Sequence, residues 1–144
     1  MSANKCNNES EQTEETAEPG TALIQVEQEL RTIGLFGEVE EEKIAEIIGA
    51  FLLLRESGVT VESDEPNNKL IEFIVSTSGG AAHDMFALYD VMRLVREKCP
   101  IQTVALGKVM SAGVLLMAGG TRGHRKIGRN CRVMVHGVTG GHMG

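Results

Sequence analysis

Apolar positions along this chain follow helical spacing in some stretches and near-continuous runs in others. Ile44, Ile47, Ile48, Phe51 and Leu52 fall at i, i+3, i+4, i+7 and i+8, one face of a helix predicted over residues 38–57. Glu40, Glu41 and Glu42 sit in its first turns, where carboxylates suit the positive end of the helix dipole. Ser57-Gly58 supplies the stop signal. Leu70-Ile71-Glu72-Phe73-Ile74-Val75 is the near-continuous pattern of a strand covered on both faces. Residues 32–36 read as a shorter strand ended by Gly37. A second helix is predicted over residues 82–98, its faces traced by Phe86, Tyr89, Met92 or Arg93, and Val95 or Arg96, until Cys99-Pro100 breaks it. Residues 102–106 form a third strand ended by Gly107, and residues 111–117 an almost wholly apolar, buried helix stopped by Gly119-Gly120. Residues 131–136 are the last strand. The connections are a polar loop over 59–68, a turn over 76–80 and a basic, turn-rich stretch over 121–130.

Strand and helix therefore alternate, which predicts an α/β domain whose helices cross over, right-handed, between parallel strands. Functional residues in such sheets gather at the carboxyl ends of the strands. Three features share that address: the Gly79-Gly80 pair, Ser111 and His136.

Together these supply the parts of a serine hydrolase. A serine hydroxyl needs a neighbouring base to become a nucleophile, and histidine is the usual one near neutral pH. Ser111 opens a helix whose first-turn amides, including that of Ala112, lack intrahelical acceptors. Gly113 allows close approach, and Gly79-Gly80 can turn an amide into the same space. Two such donors make an oxyanion hole, each worth about 3 kcal/mol. Each feature also has a structural reading: the serine as an N-cap, the histidine as a structural side chain, the glycines as a turn.

Composition narrows the alternatives. The first 22 residues hold five glutamates and one lysine with few apolar groups, a disordered acidic tail ahead of one domain over 23–144. That tail carries four of the six net negative charges, and the acidic balance argues against nucleic acid. One tyrosine and no tryptophan leave no stacking platform. No apolar run could span a bilayer and no signal peptide is visible, so a cytoplasmic location is expected. Cys6, Cys99 and Cys131 fit free thiols rather than a disulfide framework or zinc pattern. His83 beside Asp84, His124 and His142 show no metal-ligand spacing, so no metal is expected. Arg122, Arg125, Lys126, Arg129 and Arg132 read as a solvated turn forming ion pairs with a neighbouring subunit, rather than as a nucleic-acid patch.

The motifs resemble those of the Clp protease proteolytic subunit (ClpP) family over roughly residues 30–141. Ser76-Thr77-Ser78-Gly79-Gly80 resembles the family's Asn-Ser-Pro-Gly-Gly, with Ser78 replacing proline. Ala87-Leu88-Tyr89-Asp90-Val91-Met92 is similar to its Ile-Tyr-Asp-Thr-Met helix. Gly107-Lys108-Val109-Met110-Ser111-Ala112-Gly113 resembles Gly-Gln-Ala-Ala-Ser-Met-Gly around the nucleophile. Arg132-Val133-Met134-Val135-His136-Gly137, followed by Gly140-Gly141, resembles Arg-Val-Met-Ile-His-Gln-Pro-Leu-Gly-Gly, with the same 25-residue step from serine to histidine.

The resemblance implies a ClpP/crotonase-like α/β fold of repeated strand-strand-helix units. Ser111 would be the nucleophile, His136 the general base, and the amides of Gly80 and Ala112 the oxyanion hole. It also implies two stacked heptameric rings, unfolded polypeptide substrates and a Clp-type AAA+ unfoldase. The partner consumes ATP, and this chain needs no cofactor. The alternative to the expected cytoplasmic location is a plastid stroma or mitochondrial matrix. In the family a ring-joining helix and strand, and beyond them the triad aspartate, follow the glycine-rich segment after the histidine; this C-terminal third is expected to be missing, and no acidic residue follows Glu97. The chain is therefore expected to be a fragment or truncated form, inactive or nearly so. The other departures are Ala112 for methionine, two extra residues near Lys98-Cys99 and the long acidic tail. The rival readings are a non-catalytic ring subunit and a crotonase-type acyl-CoA enzyme.

Overall fold

A computed structural model of the chain describes residues 30–57 and 69–137. Its elements run β1 (Thr32–Val39), α1 (Glu41–Glu56), β2 (Ile71–Gly80), α2 (Ala82–Val95), β3 (Ile101–Met110), α3 (Ala112–Ala118), β4 (Arg125–Ile127) and β5 (Arg132–Met134). All strand pairings are parallel, in the order β1-β2-β3-β4, with β5 also on β3. The expected α/β class with a parallel sheet is what forms.

Several boundaries move. Gly37 and Gly107 do not end their strands. Each takes a positive φ inside one, at +84° and +64°, where the ladder changes register: between Phe36 and Glu38 on β1, and between Val75 and Thr77 on β2 opposite Gly107. A single-chain reading takes such a glycine for a stop, whereas pairing on both sides carries the strand through as a bulge. For the same reason the expected turn over 76–80 is the extended end of β2. Part of the connection over 121–130 is β4, whose three residues pair with Thr103, Val104 and Ala105. The helices are shorter than expected, α1 starting at Glu41 and α2 ending at Val95. The loop over 59–68 and the acidic tail lie outside the described residues.

The core is built on one face of the sheet. Leu35, Ile71, Phe73, Val75 and Ala105 have no exposed surface and pack with Phe51 of α1, Leu88, Met92 and Val95 of α2, and Leu116 of α3. Phe51 meets Phe73 edge-on, centroids 5.2 Å apart at 74°, the arrangement that ring quadrupoles favour. On α1, Ile44, Ile47 and Phe51 are buried as the spacing predicts, while Leu52 lies at the rim. On α2 the buried stripe is Met85, Leu88, Met92 and Val95. Phe86 is exposed because it lies one position round the helix from that stripe.

The expectation that β2 is covered on both faces does not hold among the described residues. Burial alternates along the strand, with Ile71, Phe73, Val75 and Thr77 inside and Glu72, Ile74 and Ser76 only partly covered. The helices pack on one side, and the outer face carries the Gln102 Nε2 to Glu72 Oε1 hydrogen bond of 3.0 Å beside partly covered Ile74. The last strand is also not a core strand: Val133, Met134 and Val135 are all exposed. The basic stretch forms no ion pair within the described part of the chain. Within it Arg125 donates to the Gly120 carbonyl at 2.9 Å, which also accepts from Arg96, just after α2, at 3.4 Å.

Phe51→Ala should lower stability by about 3–5 kcal/mol, read as a shift in the urea midpoint, because it empties the centre of the core. Cys99 is fully buried, and burial raises its pKa while nearby Arg31 opposes the rise. It should therefore resist iodoacetamide in the native state and react on unfolding, as peptide mass mapping would report. Because the folded state holds that thiol proton more tightly, this site's contribution is complete at neutral pH. It should decline as pH climbs past the ordinary thiol pKa of about 8.5 and disappear in Cys99→Ala.

Candidate active site

The carboxyl ends of β2 and β3, the start of α3 and the residues after β5 enclose one cavity of about 490 Å³. Ser111, His136, Gly80 and Ala112 all line it, with Met85 and Leu115 as its larger apolar walls. Four residues singled out in three separate sequence stretches therefore share one space.

Ser111 stands at the junction of β3 and α3 with φ 52° and ψ −122°. It is the only non-glycine residue with positive φ among the described residues. Such a conformation costs about 1–3 kcal/mol and persists only where surrounding structure imposes it. The hydroxyl does not cap α3, as no side-chain cap bond forms, so the N-cap reading of this serine fails.

The backbone of Ser111 is tied elsewhere. Its N–H donates to the Met134 carbonyl at 2.9 Å. That bond continues the β3–β5 ladder, in which Lys108, Val109 and Met110 face Arg132, Val133 and Met134. The strand that ends in Ser111 is thus in register with the one that leads to His136, two residues beyond Met134. The His136 side chain is exposed and, among the described residues, forms no hydrogen bond with Ser111 or any carboxylate. Such contacts often tighten only when substrate arrives.

The glycines are needed for space. Gly79 has φ 99°, and a methyl group there would come within 2.7 Å of Ser111 Cβ and 3.2 Å of its Oγ. Gly80 has φ 152°, and a methyl group there would overlap the Val39 backbone. Ala112 begins α3, so its N–H has no acceptor one turn back. Gly113, expected to allow a close backbone approach, instead accommodates the methyl of Thr77.

Thr77 is the participant that sequence reasoning passed over. It is fully buried, and its Oγ1 accepts the Gly79 N–H at 3.0 Å. A threonine two residues before a glycine is a hydroxyl-turn signature, which is the local signal that could have identified it. His83 contributes only a 3.5 Å contact to its neighbour Asp84, and no His, Cys, Asp and Glu cluster suited to a metal occurs among the described residues. No helix among them is long and apolar enough to cross a membrane.

A family model described as Clp protease matches residues 16–144. The match spans both strand-end glycines, Ser111 and His136, and the parallel sheet with its helices is the α/β architecture of the ClpP/crotonase-like fold. The chain belongs to the Clp protease family.

Proposed function

We propose that the chain is a ClpP-like serine endopeptidase subunit acting on unfolded polypeptides, with Ser111 as nucleophile and His136 as general base. The observation that carries this reading is the Ser111 backbone. A serine forced to positive φ, with its hydroxyl withheld from capping, lies on the same cavity as a histidine. Strain of this kind is maintained where a side chain must be presented.

In this mechanism His136 accepts the hydroxyl proton as Ser111 Oγ bonds to the scissile carbonyl carbon. The amides of Gly80 and Ala112 receive the developing oxyanion. The C–N bond then breaks, His136 passes its proton to the leaving amine, and water hydrolyses the ester by the same route in reverse. Met85 and Leu115 would receive an apolar side chain next to the cleaved bond. These steps call on water, two side chains and two backbone amides, and ATP would be spent by an unfoldase partner feeding extended polypeptide to rings of such subunits.

Among the described residues no carboxylate pairs with His136 to orient its imidazole. This favours, as second reading, a ring subunit that contributes structure without turnover. The two readings separate experimentally. A fluorophosphonate should add to Ser111 of the 144-residue polypeptide, the Oγ–P bond replacing P–F, as intact mass and peptide mapping would show. Ser111→Ala should abolish the adduct and His136→Ala should slow it by about 100-fold or more. Absence of any Ser111 adduct would give preference to the non-catalytic subunit.

A further inference from the structure

We propose, building on the serine-peptidase reading, that Thr77 is a positioning residue that fixes the reactive geometry of Ser111 through the Gly79 turn. Thr77 lies where both ladders of β2 change register. Opposite β1, the register shifts between Phe36 and Glu38; opposite β3, it shifts between Val75 and Thr77. Pairing resumes beyond both shifts, with Thr77 facing Val109, Gly79 facing Glu38 and Gly80 facing Val39, yet the Gly79 N–H is taken by a side chain.

That side chain is Thr77. Thr77 Oγ1 accepts the buried Gly79 N–H at 3.0 Å. Its methyl fills the space that a side chain at position 113 would need, so it also seats the first turn of α3. Gly79 in turn lies against Ser111 Cβ and Oγ, as the 2.7 and 3.2 Å approaches of an added methyl show. The hydroxyl defines one wall of the serine's surroundings and the methyl the other. Thr77 touches no reacting atom and acts only through Gly79 and α3.

The two halves of the side chain can be removed separately. Thr77→Val keeps the methyl against Gly113 and deletes the acceptor, whereas Thr77→Ser keeps the acceptor and deletes the methyl. The experiment measures, on the 144-residue chain, the second-order rate of fluorophosphonate addition to Ser111, the thermal midpoint, and amide exchange of Gly79 by NMR. Thr77→Val should expose the Gly79 amide to exchange and slow addition by about 10- to 100-fold, the scale of a small misplacement of reacting groups. Thr77→Ser should keep Gly79 protected and label within about threefold of the parent, even where its midpoint falls through lost packing.

A packing-only role gives the opposite ranking, with Thr77→Val normal and Thr77→Ser impaired, and would overturn the proposal. So would unchanged Gly79 protection in Thr77→Val, or labelling that tracks the thermal midpoint in both variants. A parent chain that no fluorophosphonate labels would overturn the peptidase reading and this assignment with it. Exchange at Gly79 needs no chemistry at Ser111, so it tells a failure of the turn from a failure of the nucleophile.

Discussion

The structure depends on the parallel pairing of β3. Along one edge this strand holds β2 through Ile101 to Ala105, facing Ile71 to Val75. Along the other it holds β4 with its first half and β5 with its second. The break between those halves falls near Gly107, whose positive φ lets the strand change register without ending. A single strand thus belongs to the core at one end and to the candidate site at the other. Ile101 and Ala105 are fully enclosed, Leu106 to Lys108 are exposed, and burial returns at Val109, which faces the core again.

Helix α3 transmits that order to Ser111. Its last turn is secured by Thr103, whose hydroxyl donates to the Met117 carbonyl at 2.8 Å, and by Gly120, which leaves room for the Thr103 side chain. Its first turn rests on the Thr77 methyl beside Gly113. Leu116 packs into the core between them without exposed surface. With both ends of α3 fixed and β3 fixed by its ladders, the connecting residue has little freedom, and Ser111 takes the conformation that closes the path. The cost of that conformation, about 1–3 kcal/mol, is small beside the burial of a single large core side chain such as Phe51.

Much of this was legible in the amino-acid order. Ile44, Ile47 and Phe51 announce α1, the run 70–75 announces β2, and the alternation of elements announces a parallel sheet. The candidate residues Gly80, Ser111, Ala112 and His136 stood out by their positions at strand ends, and the structure brings them to one cavity within the family match over residues 16–144. The misplaced features have a common cause. Gly37, Gly107 and the 76–80 segment look like terminators because glycine and serine favour turns locally. Their extended pairing is decided by strands far away in sequence. Three-residue strands such as β4 and β5 carry too short a pattern to be recognised alone, and their existence depends on β3.

The sequence by itself determined the class of fold, the main helices and the identity of the groups that could do chemistry, because periodicity and side-chain type are local properties. Only the tertiary structure decided that Ser111 is a strained residue rather than a helix cap, that His136 follows an exposed strand, and that Thr77 packs between Gly79 and Gly113. Those outcomes arise from the register between β3 and β5 and the contact of β2 with α3. Both join residues distant along the chain, and backbone dihedrals under such closure constraints cannot be read from neighbours alone.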